Sequence, residues 1–442
     1  MVKIQSNCGG FAMKNIRVRG LFVGLLALLM LGAACSQTAD SGQGGGGNSS
    51  SDGPKVASDI GVTADTITVA YLDPDIEKLV DAGFVEDEFT GPEAINGLVD
   101  SVNADGGING RKLELRRYLF DVMKVPAGLI NACTKATEDD PNFIALSMAF
   151  FGDGATCIAL DHKMPLLTSS GMAGQLYDPA SENMFLNNLT FEENQAALVK
   201  ALTKNGSLKG KKLGAVIRDE PGGRESVEAS LRKALAAAGY PNLDVATITS
   251  SMGDPASLSA AAQKFKADGV DGVFLLANVY IAGGFMAAAE KEGLKATYYT
   301  SDQSEVASNL ISKFGPPSVL NGAEGVTWKR LKGSSTSPVD KECVSRSPAA
   351  ADLVPGTERY NGFASLCLMF DTMVKALRNA GNNPTRASFV SAMEQLGDFP
   401  MGSGAKGSFG PNKHTAPDEV RAVKFDLGCN CWVADGDFVS LR

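Results

Sequence analysis

The sequence predicts an α/β fold in which two lobes each carry a parallel β-sheet with helices on both faces. The first observation is a regular alternation of short β-branched runs, such as "TITVAYL" at 66–72, with amphipathic stretches of helical spacing. This alternation occurs in two successive series, which favours two sheets over one. The second observation is length, since the roughly 380 residues that follow residue 58 suffice for two lobes.

Each predicted element follows from its residue pattern. Short aliphatic and β-branched runs are typical of buried parallel strands, and a helical face is formed by Ala94, Ile95, Leu98, Val99 and Val102. The predicted strands cover 66–72, 111–120, 143–148, 164–170, 185–190, 212–219, 243–250, 269–278 and 296–302. The predicted helices begin near 91 and 154 and cover 127–138, 192–205, 224–238, 260–266 and 283–293.

Three glycines and a basic pair occur in the segment "NADGGINGRKLEL" at 103–115. Phosphate-binding glycines lie at the start of a helix, where backbone amides point outward. These glycines instead follow a predicted helix and precede a predicted strand. We therefore expect Gly106 and Gly107 to supply the left-handed conformations that end the helix.

The first 34 residues are basic and then apolar, without an acidic residue. The apolar run at 21–34 is too short to span a bilayer but fits an export signal. The run ends in "LGAAC", and small residues before a cysteine predict lipidation of Cys35; the alternative is an ordinary cleaved signal with Cys35 incidental. The Gly- and Ser-rich segment 35–58 is then expected to be a flexible tether.

The composition excludes several classes of function. The formal net charge is −9, and loss of the basic leader makes the chain more acidic, which disfavours nucleic acid as a partner. His162 and His414 are the only histidines, and no histidine or cysteine cluster has metal spacing. No complete catalytic motif occurs either. "SLRK" at 230–233 has the Ser-x-x-Lys pattern but lacks the companion motifs of the enzymes that use it. The sequence thus predicts neither an enzyme, a cofactor nor a metal site.

The cysteines predict disulfides. Six of the eight cysteines remain once Cys8 and Cys35 are set aside, and an even number in an exported chain favours three bridges. Cys133 and Cys157 are close in sequence and are expected to pair. The other four allow three connectivities, one of them within "CNC" at 429–431, and the sequence does not choose among them. A metal–thiolate role for "CNC" lacks further ligands nearby.

Three segments resemble one known family. "INGLVDSVNADGGINGRKLELRRYLFD" at 95–121 resembles the region after the first strand in type I periplasmic solute-binding proteins of the branched-chain amino acid family. "NACTKATEDDPNFIALSMAFFGDGATCIAL" at 131–160 resembles the section that follows, and "GPNKHTAPDEVRAVKFDLGCNCWVADGDFV" at 410–439 resembles the closing segment. The resemblance implies two Rossmann-like lobes, three hinge crossings, and a cleft that closes on one small ligand.

The resemblance also implies how the chain is divided. Crossings between the lobes are expected near Leu186, Gly322 and Phe409. The expected parts are a signal peptide at 1–34, an anchor and tether at 35–58, N-terminal lobe segments at 59–186 and 322–408, and C-terminal lobe segments at 187–321 and 409–442.

The ligand loops of the family correspond to loops at the ends of the predicted strands. Backbone amides and hydroxyls in the first lobe would hold a ligand carboxylate. The residues that this implies for ligand binding are Tyr71, Asp73, Ser147, Ala149, Phe150, Ser169, Ser170, Asp219, Asn278, Tyr280 and Asp302.

Two of these assignments have a structural alternative. The "TSSG" segment that contains Ser169 and Ser170 also fits a helix cap, and Asp302 fits either a ligand ammonium or a cap for a helix beginning near Ser304. The chain also departs from the family in a longer, acidic segment after its first strand, at 73–93, and in "DEPGGRES" at 219–226. A plain leucine or valine ligand is therefore not implied.

Two functions fit these features. The first is a lipid-anchored protein that captures a small polar solute, such as an amino acid or amide, and delivers it to the permease and ATPase subunits of an ABC importer. The second is a surface lipoprotein that uses the same fold to sense a ligand and signal through a partner protein. Both place the chain outside the cytoplasm, anchored to the membrane by a lipidated cysteine.

Overall fold

The computed structural model describes residues 54–81, 92–250, 252–304, 311, 314–402 and 404–441. The predicted signal peptide, Cys35 and most of the tether lie outside the described residues, as does 82–91 in the acidic segment. Across the described residues, none of the helices combines the length and the apolar composition that a bilayer span requires.

Fifteen strands are described. They are β1 Thr66–Pro74, β2 Lys112–Phe120, β3 Ile144–Ser147, β4 Leu166–Thr168, β5 Met184–Leu186, β6 Leu213–Arg218, β7 Asp244–Ile248, β8 Gly272–Leu275, β9 Thr297–Thr300, β10 Glu324–Thr327, β11 Gly397–Pro400, β12 Lys406–Phe409, β13 Glu419–Asp426, β14 Cys431–Ala434 and β15 Val439–Ser440.

Helices alternate with most of these strands. They are α1 Ile76–Asp81, α2 Pro92–Ala104, α3 Ala127–Thr134, α4 Gly152–Thr156, α5 Gly174–Ala180, α6 Phe191–Asn205, α7 Gly223–Ser226, α8 Arg232–Ala237, α9 Pro255–Ala267, α10 Val279–Glu292, α11 Pro317–Leu320, α12 Pro338–Ser345, α13 Glu358–Asn379 and α14 Arg386–Glu394. Single π-helical turns continue α3 and α4 and join α7 to α8.

The strands form two large sheets. The first has the order β2-β1-β3-β4-β5, and all of its pairs are parallel. The second has the order β14-β13-β10-β9-β8-β6-β7 and is parallel from β7 to β10. The α/β prediction is confirmed. The antiparallel pairing of β13 with β10, β14 and β15 extends the second sheet beyond the parallel part that the sequence pattern revealed.

Helices cover both faces of each sheet, as predicted. In α2 the apolar face at helical spacing is buried, with Leu98 0% and Val102 3% exposed. The chain crosses between the sheets in three passages, the first after β5, the second after β10 and the third before β13. The same hydrophobic cluster includes Leu189, Trp328 and Phe409, which lie at or next to these passages. One apolar core therefore runs from the first sheet, past those passages, to one face of the second sheet.

The second passage between the lobes lies later than expected. The predicted boundary at Gly322 assigns Glu324–Thr327 to the first lobe, whereas this strand pairs with β9 and β13 in the second sheet. The strand was missed because "EGVT" is short and contains glycine, so it lacks a period-2 pattern. After Thr327 the chain returns to the first lobe, where α14 begins with Arg386 bound to the Phe143 carbonyl.

Three disulfides join the six cysteines that follow the predicted tether. Cys133 and Cys157 are bonded, as predicted, with 6.3 Å between their Cα atoms. The structure also assigns the two pairs that the sequence left open. These are Cys343–Cys367 and Cys429–Cys431.

The "NADGGING" segment is a helix-to-strand turn, as predicted. After α2, Gly106 and Gly107 have φ of 91° and 73°, which a side chain would strain. A Cβ at Gly107 would also collide with the Arg111 carbonyl. Arg111 is only 1% exposed and donates from Nε to the Thr63 carbonyl at 2.7 Å and from Nη2 to the Val56 carbonyl at 3.0 Å. Arg111, the first residue of the basic pair, therefore has a structural role.

We predict that Arg111→Lys lowers the free energy of unfolding by about 2–4 kcal/mol, because lysine cannot supply the guanidinium fork and leaves buried carbonyls without donors. The neighbouring Lys112, whose side chain is 66% exposed, is the matched control. Lys112→Gln should leave the urea midpoint close to that of the unmodified chain. Equal effects of the two substitutions in urea unfolding would contradict the structural role of Arg111.

Candidate functional site

The loops that follow the parallel strands of the two sheets meet in space. Gly222, in the loop after β6, has a φ of 79°, and a Cβ there would collide with Ala173 and lie 3.4 Å from the Gln175 Cβ. Ala173 and Gln175 belong to the first-lobe loop after β4 and the start of α5. The Gly174 N–H also donates to the Glu192 carboxylate of α6 at 2.9 Å. Loops of the two lobes are thus in contact at the carboxyl ends of their strands, which is where parallel sheets usually bind ligands.

The end of β1 is an internal polar cluster. Asp73 accepts hydrogen bonds from Nε and Nη2 of Arg117, at 2.9 and 2.6 Å. The Tyr71 hydroxyl donates to the other Asp73 oxygen at 3.5 Å. Burial, followed by the nearby Asp73 charge, raises the pKa of Tyr71 well above its ordinary value, so the hydroxyl keeps its proton. The sequence named the acid and the phenol but missed the Arg117 that neutralises the acid.

The loop after β3 uses its polar groups within the first lobe. The Ser147 hydroxyl donates to the Leu72 carbonyl at 2.7 Å and accepts from the Ala149 N–H at 3.1 Å. The Phe150 side chain is fully buried and packs edge-to-face on Phe120, with 5.2 Å between ring centroids. These contacts give Ser147 and Phe150 structural roles in shaping the loop.

The loop after β4 presents two hydroxyl groups. Ser169 is 9% exposed and Ser170 is half-buried, and neither hydroxyl makes a hydrogen bond within the part of the chain that the structure describes. The helix-cap alternative fails, because α5 begins after Ala173 and has no side-chain cap. Both hydroxyls are therefore free to bind another group at the carboxyl end of the first sheet.

The loop after β6 carries two carboxylates in different states. Asp219 is exposed, and among the described residues its carboxylate has no ion-pair or hydrogen-bond partner. Glu220 pairs with Arg218 at 3.4 Å, and burial raises the pKa of Glu220 against the opposing effect of Arg218. The sequence pointed to this loop but not to the second carboxylate or its arginine.

The loop after β8 begins a helix. The Asn278 side chain caps α10 by accepting from the Ile281 N–H at 3.0 Å. Tyr280 is half-buried, with its ring 4.6 Å from that of Phe314 in an edge-to-face arrangement. Burial raises the pKa of the Tyr280 hydroxyl, which stays neutral at physiological pH. Asn278 thus has a capping role in addition to the ligand role that the resemblance implies.

Asp302 is an internal acceptor at the second passage between the lobes. Asp302 is only 2% exposed. Its Oδ1 accepts a hydrogen bond from the Thr327 hydroxyl at 2.7 Å, and its Oδ2 accepts one from the Trp328 N–H at 2.9 Å. A short 3-10 turn begins at Asp302 itself. Both carboxylate oxygens thus fix the end of β10 against the end of β9.

Backbone hydrogen bonds join the first and third passages. The Leu186 N–H donates to the His414 carbonyl at 2.7 Å, and the Ala416 N–H donates to the Leu186 carbonyl at 2.7 Å. Leu186 and Thr415 thereby form a parallel bridge. The His414 ring stacks on Phe185, with 4.1 Å between ring centroids.

Side chains complete the connection of all three passages. The Trp328 indole Nε1–H donates to the Asn188 side-chain oxygen at 3.1 Å, which joins the second passage to the first. Glu193 accepts from the Thr190 N–H at 2.9 Å and from the Thr415 hydroxyl at 3.0 Å, which joins the first passage to the third. The sequence-based candidates missed these residues. For Asn188 a possible signal was the polar pair "NN" at 187–188, which the predicted strand 185–190 included although β5 ends at Leu186.

Two cavities in the described part of the chain lie away from the candidate residues. One of about 420 Å³ lies beside the contact between the lobes and is lined partly by Gly174, Glu192 and Glu225. Another of about 690 Å³ opens around Leu213 and Asp244, at the beginnings of β6 and β7. No candidate residue lines either cavity, so the candidate site rests on the strand-end loops alone.

We predict that Gly222→Ala disrupts the contact between the lobes. Gly206 is a matched control, because its φ of 80° is almost the same but no atom lies within 4 Å of the added Cβ. Both substitutions carry the conformational cost of alanine at positive φ, about 1–2 kcal/mol. Only Gly222→Ala should also change the scattering profile of the chain. Identical profiles for both variants would contradict the contact.

Comparisons with known proteins place this geometry in context. A search of curated protein sequences finds no match. A branched-chain amino acid ABC transporter protein from Thermus thermophilus with bound valine is 17% identical, with a TM-score of 0.63, covering 85% of this chain and 97% of its own. A fatty acid ABC transporter substrate-binding protein from Thermomonospora curvata is 19% identical, with a TM-score of 0.64, covering 87% and 95%.

A third similar structure is a solute-binding protein of an ABC transporter from Rhodopseudomonas palustris BisB5 in complex with 3,4-dihydroxybenzoic acid. It is 16% identical, with a TM-score of 0.63, covering 85% of this chain and 98% of its own. At these identities the three structures share the fold. The sequence pattern described as "periplasmic binding protein" matches residues 89–430, most of the chain, and the chain therefore belongs to the periplasmic binding protein family.

Proposed function

We propose that this protein is an extracytoplasmic substrate-binding protein that captures a small polar solute between its lobes and delivers it to an ABC importer. The observation that carries the proposal concerns Ser169 and Ser170, whose hydroxyls make no hydrogen bond within the described chain. Their loop continues into a direct contact with the second lobe. Strand-end loops of this kind are the usual ligand sites of parallel sheets.

The charges around these loops favour a solute with both an anionic and a cationic group. Hydroxyl donors on Ser169 and Ser170 suit a carboxylate, and the exposed carboxylate of Asp219 suits an ammonium or amide N–H. Asp302 is the weaker partner for a ligand, since its oxygens already accept from Thr327 and Trp328. An amino acid or amide therefore fits better than an apolar solute.

The remaining candidates have supporting roles in this proposal. Tyr71, Asp73 and Ser147 make side-chain hydrogen bonds inside the first lobe. In this proposal they fix the shape of the loops and do not bind the solute directly. In the second lobe, Asn278 and Tyr280 lie directly after β8 and would form the wall of the solute site that faces Ser169 and Ser170. Valine, a fatty acid and an aromatic acid are bound or transported by proteins of the same fold, so loop chemistry decides the solute.

Attachment to the membrane is part of the same proposal. The basic and apolar leader, the "LGAAC" sequence ending at Cys35 and the Gly-rich tether support an acylated protein held near its importer. Two acyl chains on one cysteine would give stable anchoring, whereas a single chain binds only marginally. The permease and ATPase subunits of the importer are the proposed partners.

The first experiment is a melting-temperature screen of the purified chain against amino acids, amides, short peptides and small sugars. A ligand at 100 times its dissociation constant should stabilise the folded state by about 2.7 kcal/mol. We expect the largest rise from an amino acid or amide. A panel in which only sugars raise the melting temperature would contradict the proposed ligand class.

The second experiment tests the two hydroxyls. We predict that the double substitution Ser169→Ala and Ser170→Ala weakens binding of the solute found in the screen by about 10–100-fold, because hydrogen bonds to a charged group are lost. Ser345→Ala removes an exposed hydroxyl on α12 and is the control. Calorimetric titration giving the same affinity for both variants would exclude these serines from the site.

A further inference from the structure

The third disulfide differs from the other two in its surroundings. Cys429 is exposed and Cys431 is 7% exposed, at the tip of the hairpin formed by β13 and β14. By contrast, all four cysteines of the other two bridges are buried, with exposed fractions between 0% and 8%. An external thiol can therefore approach Cys429 directly, and exposed disulfides are the ones that exchange readily.

The fold does not depend on this bridge. It closes a ring around a single residue, Asn430, whereas each of the other bridges joins cysteines 24 positions apart. A disulfide stabilises mainly by restricting the unfolded chain, and this effect grows with the length of the closed loop. The Cys429–Cys431 bridge thus restricts the unfolded chain least.

The hairpin tip is also held without the bridge. The Gly428 N–H donates to the Asp426 carboxylate at 2.7 Å, and the Asn430 N–H donates to the Leu427 carbonyl at 3.2 Å. Strand pairing continues to Asp426 opposite Cys431. After reduction, these contacts keep the two thiols close together and ready to re-form the bond.

The hairpin tip lies away from the proposed solute site. Because β13 is antiparallel to β10, with Lys424 opposite Glu324, its last residues reach the amino end of the parallel strands. The solute loops lie at the carboxyl ends of those strands. Chemistry at the tip is therefore separate from solute capture and does not rest on it.

We propose that Cys429 and Cys431 form a thiol–disulfide exchange site whose partner is a dithiol. A thiolate of the partner attacks Sγ of Cys429, which forms a mixed disulfide and releases Cys431 as a thiolate that takes up a proton. The second partner thiol attacks the mixed disulfide, releases Cys429 as a thiol, and leaves the partner oxidised. Two electrons and two protons pass from the dithiol to the cysteine pair, and the reverse reaction restores the bridge.

The first test is graded reduction of the full chain with dithiothreitol, followed by alkylation and peptide mass spectrometry. We expect Cys429 and Cys431 to be alkylated at reductant concentrations about tenfold or more below those that open the buried bridges, while circular dichroism stays native. Oxidised dithiothreitol should restore the bridge. Simultaneous opening of all three bridges, or opening only on unfolding, overturns the proposal.

Paired single substitutions test the order of attack. Cys431→Ser leaves the exposed Cys429 thiol, and Cys429→Ser leaves the buried Cys431 thiol. Oxidised glutathione should form a mixed disulfide faster with Cys431→Ser than with Cys429→Ser; equal rates, or the opposite order, contradict attack at Cys429.

The double substitution tests whether the bridge is dispensable for the fold. The variant with serine at both positions should melt close to the unmodified chain, unlike a variant without the Cys343–Cys367 bridge. A melting temperature as low as that of the Cys343–Cys367 variant, or failure to fold, would show that the exposed bridge is structural and overturn the proposal.

Discussion

The structure depends on the way its three passages between lobes are bonded to one another. Leu186 donates to and accepts from the third passage through its backbone, and the Trp328 indole reaches the Asn188 side chain of the first. These bonds hold the three segments together, and in the proposed mechanism the lobes rotate about this common connection. Hinge closure around a ligand uses this kind of motion.

The same connection explains why the apolar core is continuous. Leu189, Trp328 and Phe409 are buried near the passages and belong to the cluster that also covers one face of each sheet. Burying these side chains stabilises each lobe and the connection at the same time. In the proposed closure, the lobes move as whole units that preserve this core.

Much of the fold could be predicted because it is encoded locally. The apolar face of α2 and the β-branched run of β1 each contain the period that identifies them within a few residues. Other elements lacked such a pattern: Glu324–Thr327 is too short, and Glu419–Asp426 extends the sheet in a direction that periodicity cannot give. The contact of Trp328 with Asn188 spans 140 positions, so only the folded chain reveals it.

The candidate site shows the same division. The family resemblance pointed to Ser169, Ser170 and Asp302 in strand-end loops, but it did not distinguish a side chain without a partner from one used internally. Asp302 accepts two hydrogen bonds at the second passage, whereas the two serine hydroxyls make none within the described chain. Burial and partners, which depend on residues distant in sequence, make that distinction.

We propose that the two lobes close on a solute by rotating about the bonded passages. Small-angle scattering of the purified chain, with and without a saturating amount of the solute identified by melting temperature, tests it most directly. Closure should give a smaller radius of gyration and a shorter maximum dimension when the solute is bound. A bound solute that leaves both quantities unchanged would contradict it.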